Sequence, residues 1–381
     1  MIYKFLIYFI FIFFCTQVLS YPLVDENNKT IKEVKVDNYF KIMENIKWEN
    51  CKIETNPEKL LLVAKNTLDY IKNVNDDKVK TSILTELGIK QNHIIITLEF
   101  IINTIEEDLK NNKKQRILEP EFLEKNFRII KWYGDLDSAK SNKVNLPEGR
   151  IRMTKYVVFR VNGSYEKTSN YNCALYSHPI DENGISVEQA LKIKDKLLRF
   201  KYTKQDVLSG VYEKNGKSEN MAKPLIWLTR EGMEQALLEG TIIVKTPDTK
   251  EFIFNVDRNN GIPFDRKIKN QETQKRYWYF KKVDAIKGYG KDIDTKINIQ
   301  PEVTFAGDVY NIGLGELILI EYSINNNKIF KLGIIADTGG AFIPNLYQLD
   351  FLSGIYDSRK DFESSTKNLP KFPHAYILIK K

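Results

Sequence analysis

The sequence predicts a mainly β protein with a helical N-terminal part, and three observations carry that prediction. From about residue 56 to about 133 the apolar residues recur at three- and four-residue steps. After Arg150 they gather instead into short runs rich in β-branched and aromatic residues. Between the two lies "GDLDSAKSNKVNLPEG", a loop by composition. A chain of 381 residues is long enough for two or three domains with proper cores, and 42% hydrophobic with 28% charged residues suits a soluble globular protein.

The elements follow in order. Residues 21 to about 55 are polar and mixed, with no periodicity to read. "NPEKLLLVAKNTLDYIKNV" and "HIIITLEFIINTIEEDLKNN" read as helices. A third helix is expected to begin at Glu119-Pro120, where proline suits a first turn, and to continue through "EFLEKNFRIIKWY". The β part is expected in "RIRMTKYVVFRV", "TIIVKTP", "KEFIFNV", "ELILIEYSI", "IFKLGIIA" and "HAYILIK". Two helices interrupt it: "SVEQALKIKDKLLRF", capped by Ser186 with Glu188 close behind, and "TREGMEQALLEG". The β body is expected to form two lobes.

The first twenty residues, "MIYKFLIYFIFIFFCTQVLS", have one lysine, an apolar run and small residues before Tyr21. This is the layout of a secretory signal peptide cut after Ser20, the competing reading being an uncleaved anchor. Bulky Phe14 before Cys15 argues against a lipoprotein site. Cys51 and Cys173 remain, and an oxidising compartment allows one disulfide between them without requiring it. The three cysteines and three histidines show no metal-ligand spacing, so no metal and no cofactor is expected. "GYGKDI" near Gly288 is too short for a nucleotide fingerprint. A net charge of +8 suits an anionic polymer. "RKIKNQETQKRYWYFKK" mixes basic and aromatic residues, but export argues against nucleic acid, and a solvated hairpin with inward aromatics is expected.

The chemistry concentrates in "GIIADTGGAFIPN", residues 333–345. An Asp-Thr-Gly triplet between apolar runs is how an aspartic peptidase writes its catalytic loop. Such an enzyme needs two facing aspartates sharing a proton, and so either two triplets or a dimer. This chain has one triplet, Gly340 follows where Ser or Ala is usual, and no later apolar-glycine segment braces the loop. The peptidase remains the weakest alternative.

The tail holds more than Asp337. "DVYNIGLGELILI" sets Asp308 before an Ile-x-x-Gly turn, and "LDFLSG" sets Asp350 before Gly354. Here the chain resembles the three-aspartate (3D) domain of the membrane-bound lytic murein transglycosylase A (MltA) family, which runs Asp…Ile-Pro-x-Gly, Asp-Thr-Gly-Gly-Ala-Ile, Asp-x-Phe-x-Gly. The resemblance continues upstream in the family's order over about residues 115–381. "FLEKNFRIIKW", "MTKYVVFRVNGS", "YNCALYSHPID" with Leu175, Tyr176 and Pro179, "LTREGMEQALLEG" with Thr229, Arg230 and Gly240, and "EFIFNVDRNNG" each stand where the family has a motif. Lys155, Val158 and Phe159 depart from the first of these motifs, and Asn255 and Asp257 replace two glutamines. The interval from Asp337 to Asp350 is longer than the family's. These are groove positions, so the chain looks like a divergent member.

The resemblance implies a double-psi β-barrel domain built from residues 145–165 and 295–381. It also implies an inserted β-rich domain over 166–294 and a helical region over 21–144. It implies cleavage of the β-1,4 bond between N-acetylmuramic acid and N-acetylglucosamine, with the C6 hydroxyl attacking C1 to leave a 1,6-anhydro ring. One residue then acts as acid and base, and the motif assigns that to Asp350. Asp337 is the expected neighbouring carboxylate that raises its pKa, with Asp308 in a supporting place. Thr154, Tyr156, Asn255, Asp257, Thr338, Gly339 and Gly340 are the expected substrate-binding residues. The expected partner is the glycan strand of peptidoglycan, met by a monomer in the periplasm or at the outer membrane of a Gram-negative bacterium, with room for a peripheral membrane or cell-wall complex. The alternative from another class is a degenerate, non-catalytic peptidoglycan-binding protein.

Overall fold

The first long helix, Pro57–Asn73, starts where the sequence says it should. The Asn56 side chain accepts from the Lys59 amide, and Pro57 fills the first helical position. Its buried residues Leu60, Val63, Ala64, Thr67 and Tyr70 keep the three- and four-residue spacing and face the second helix, Gln91–Lys110, and a large sheet. The computed structural model describes residues 20–339 and 342–381; the leader with Cys15, and Gly340, fall outside them.

The third helix stops at Asn126, and "FRIIKW" (Phe127–Trp132) is a strand. Its helical reading fails for a tertiary reason. The segment pairs with His374–Lys380 on one side and Phe40–Met43 on the other, and β-branched residues suit that position. The unreadable leading segment also forms strands: a hairpin of Ser20–Val24 with Thr30–Lys35, then Phe40–Met43 and Cys51–Ile53. Only Tyr21, Leu23, Val34, Val36, Phe40, Ile46 and Ile53 are buried there, too few for a pattern. The helix expected over "SVEQALKIKDKLLRF" covers only Val187–Lys192, with its capping box closed by Gln189 rather than Glu188.

The fold is mixed and mostly β. One path of strands runs, edge to edge, through Trp278–Val283, Glu251–Asn259, Thr241–Lys245, Arg152–Ser164, Gln348–Tyr356, Thr304–Ala306, Asn327–Asp337, Leu317–Ile324, His374–Lys380, Phe127–Trp132 and Phe40–Met43. Two apolar cores line it. One joins the N-terminal helices to residues near 130, 300 and 375; the other draws on residues 157–280. The strand Arg152–Ser164 feeds both, giving Met153 and Val158 to the first and Val157 and Phe159 to the second. Cys51 and Cys173 are free thiols, Cys173 buried. Among the described residues no helix is long and apolar enough to cross a membrane.

Candidate active site

Asp337 ends one strand and Asp350 lies near the start of another, and the short strand Thr304–Ala306 runs between them. Ala306 is the parallel register partner of Asp337 and the antiparallel partner of Asp350. Pairing on both sides of one residue brings the two carboxylates, thirteen positions apart in sequence, to one level of the sheet. On its other side Asp350 faces Thr154 across a parallel pair.

The Tyr156 hydroxyl donates to Asp337 Oδ2 at 2.9 Å, and the Thr338 amide donates to its Oδ1 at 2.8 Å. The Thr338 hydroxyl is turned away and donates to the Gly307 carbonyl at 2.7 Å. Asp350 Oδ1 is buried and has no hydrogen-bond partner among the described residues. Asp76 Oδ1, Asp181 Oδ1 and Glu316 Oε2 are left open in the same way, so what sets Asp350 apart is the second carboxylate at its level of the sheet.

Asp337, Tyr156, Thr338 and Gly339 line a cleft of about 430 Å³ together with Glu239, Thr241, Asn255, Arg276 and Trp278. Gly288 closes one end. A Cβ there would stand 2.4 Å from the Ala336 carbonyl, so only glycine lets this turn lie against the Asp337 strand. Beside it, Tyr289 donates through its amide to Ala336 O and through its hydroxyl to Asp76 Oδ2, which also accepts from Tyr70 of the first helix. The "GYGKDI" segment is therefore a wall of the cleft. The aromatic stretch divides by strand alternation: Tyr277 and Tyr279 are buried, while Trp278 lines the cleft with the Arg276 guanidinium 4.0 Å from its ring centroid.

Burial pushes Asp350 up to about 7, the neighbouring Asp337 charge adds to the rise, and the Thr154 hydroxyl, the Phe351 amide and Arg152 oppose it. Burial pushes Asp337 up to about 6 against the Tyr156 hydroxyl, the Thr338 amide and Lys296. Glu239, at the end of helix Arg230–Glu239, is pushed up to about 7 by burial and by the Asp350 charge. Lys296 is held below its usual range by burial, with Asp337 opposing. Three carboxyl groups able to carry protons near neutrality are thus close enough to feel one another, Glu239 and Asp337 lining the cleft and Asp350 not among its lining residues.

Neither the protein-family models nor the curated proteins contain a match to this chain. Solved structures do match. A membrane-bound lytic murein transglycosylase from Agrobacterium tumefaciens superposes with a TM-score of 0.58 at 14% identity, covering 86% of this chain and 93% of that one. E. coli MltA with bound chitohexaose gives 0.55 at 12% identity over 90% and 94%. MltA from Neisseria gonorrhoeae gives 0.53 at 11% over 90% and 91%. This chain has the MltA fold.

On that MltA frame the remaining expected residues separate. Thr154 and Tyr156 stand beside Asp350 and Asp337. Asn255 lines the cleft, but its side-chain oxygen already accepts from the Thr241 hydroxyl at 2.8 Å and the Lys287 amide at 3.2 Å. Asp257 lies outside the cleft wall, its Oδ2 2.6 Å from His178 Nδ1. Asp308 is wholly buried; it accepts from the amides of Asn311 and Asn345 and the Asn311 side chain, so it ties the two loops together. Asn311 in turn exchanges hydrogen bonds with the Val24 backbone. Glu239, Arg276, Trp278 and Lys296 are cleft residues that sequence reading passes over. For Glu239 the available signal is slight, a carboxylate just before the glycine that ends a helix.

Proposed function

We propose that the protein is a peptidoglycan lytic transglycosylase, cleaving the β-1,4 bond between N-acetylmuramic acid and N-acetylglucosamine and leaving 1,6-anhydromuramic ends. The observation that carries the reading is Asp350: a carboxyl with an open buried oxygen, a pKa pushed up to about 7, and a second carboxylate at the same level of the sheet. The MltA fold of E. coli is known with chitohexaose bound, which supports a glycan in this cleft.

Protonated Asp350 gives its proton to the glycosidic oxygen as the C1–O bond breaks and the N-acetylglucosamine hydroxyl departs. The resulting carboxylate takes the proton of the C6 hydroxyl while O6 bonds to C1, so no water is consumed and the acid is regenerated. Ionised Asp337, held by Tyr156 and Thr338, lies where it offsets oxocarbenium charge and keeps the Asp350 proton in place. Trp278 offers a face for a sugar ring, and the cleft-lining backbone at Gly339 lets the glycan approach closely. Asp308 acts at one remove, by holding the Asn345 loop. The same reading takes residues 145–165 and 295–381 as a double-psi barrel with 166–294 inserted, and assigns the protein to the periplasm. The pairing of Thr304–Ala306, parallel to one aspartate strand and antiparallel to the other, supports that barrel.

Glu239 supports a second reading. A carboxyl pushed up to about 7 in the lining of the same cleft, once ionised, is able to take a proton from water and turn the reaction to hydrolysis. Mass spectrometry of the soluble products from purified peptidoglycan separates the readings. Anhydromuramic ends are expected; reducing ends favour hydrolysis, and no release from folded protein leaves a non-catalytic binder.

A further inference from the structure

A second cavity, of about 820 Å³, opens beside Asp350 and shares no lining residue with the Asp337 cleft. Three stretches wall it: residues 143–145, residues 152–155 at the start of the long strand, and the helix Arg359–Thr366 with the chain after it. Thr154 connects it to the chemistry, being both a wall residue and the register partner of Asp350.

Its charge is one-sided. Lys143, Arg152, Lys155, Lys367 and Lys371 line it, against the single carboxylate Glu363, which lies 3.9 Å from Arg359. None of the four lysines forms an ion pair or a side-chain hydrogen bond with any described residue. Other exposed lysines, such as Lys41, Lys110 and Lys192, likewise lack such a partner among the described residues, so what marks the basin is five cations gathered around one cavity rather than their lack of partners. Burial and the Lys371 charge together hold Lys155 below its usual range, as expected for amines crowded without a counter-charge. The floor is apolar, from Val144, Met153, Phe362 and Phe372. Uncompensated cations around an apolar floor suit an anionic ligand that also has carbon to bury, which a bare phosphate lacks.

We propose that this basin binds the carboxylates of the peptide stem borne by the muramic acid that reacts at Asp350. The inference rests on the transglycosylase reading, since that sugar carries the stem on its lactyl group and must lie beside Asp350. The volume falls within the range of pockets that enclose a small ligand, enough for part of a stem.

The test uses the full chain and Lys367→Gln/Lys371→Gln, away from the residues assigned to catalysis. Cleavage is compared on intact peptidoglycan and on glycan stripped of its peptides, at limiting substrate. The double variant is expected to lose about tenfold on the intact substrate, two partly exposed charge pairs' worth, and nothing on the stripped one. Equal loss on both, or loss on neither, overturns the proposal. A titration with soluble stem tetrapeptide gives a readout independent of turnover: binding should weaken about tenfold in the double variant and with added salt. Unchanged binding, or displacement of the tetrapeptide by an equal concentration of inorganic phosphate, overturns it too. Wild-type protein that cleaves neither substrate yet binds the tetrapeptide through these lysines would sink the transglycosylase reading and leave the basin standing.

Discussion

Asp308 and Asp350 are chemically alike and differ in their surroundings. Burial pushes each up to about 7. Both oxygens of Asp308 are occupied, Oδ2 by Asn345 N at 2.7 Å and Asn311 Nδ2 at 2.8 Å and Oδ1 by Asn311 N at 3.1 Å. Asp350 is only partly buried as a residue, keeps one oxygen without a partner among the described residues, and has a second carboxylate for a neighbour. A raised proton affinity therefore marks withdrawal from water and does not by itself mark a site; the neighbouring carboxylate is what Asp308 lacks.

The sharpest way to break this comparison is to remove each carboxyl in turn. Asp350→Asn should lower glycan release by about 10²–10⁴-fold, the range for losing a general acid, with no fall in melting temperature. Near-wild-type release would remove the distinction. Asp308→Ala should show the reverse: roughly 3 kcal/mol less stability from stranded buried donors, read by urea midpoint, with cleavage retained wherever the protein is folded.

The pH profile sharpens it further. If Asp350 is the acid of the proposed mechanism, the active fraction falls as pH rises through about 7, and cleavage should decline about tenfold per unit above that. Asp337→Asn removes the negative neighbour that helps raise Asp350, so the decline should begin at lower pH, by up to roughly one unit. A limb that does not move would separate the two aspartates. For stability the sign is opposite to the usual carboxylate case. Folded pKa values above the ordinary one mean that the folded chain binds more protons, so stability falls as pH rises from about 4 to about 7. Either carboxamide variant should flatten that slope. The smallest effect is expected from Glu239→Gln, a few-fold change in rate. Reducing ends that disappear in that variant would make Glu239 the base of a hydrolase.

The two aspartates were legible because each sits in a short local pattern, Asp-Thr-Gly and Leu-Asp-Phe, whose glycines and flanking apolar residues belong to the same loop or strand. Their juxtaposition was legible only through resemblance, since it depends on Ala306 pairing both ways. Glu239, Trp278 and Lys296 were not legible. They reach the cleft from separate elements, and nothing near any of them in sequence signals that the elements converge. The strand Phe127–Trp132 was misread because one partner lies some 250 residues further on and the other in the leading segment that shows no pattern. In Asn255 the residue was found but not its engagement, because only the fold brings Thr241 and the Lys287 amide to it.

The strand order has a consequence for how the chain is made. His374–Lys380 lies between Leu317–Ile324 and Phe127–Trp132 and is their common partner. Until a ribosome has released that segment, both neighbours present bare edges of the kind that pair with other chains. A chain lacking the strand His374–Lys380 would therefore be an aggregation-prone translation product rather than a slightly altered protein.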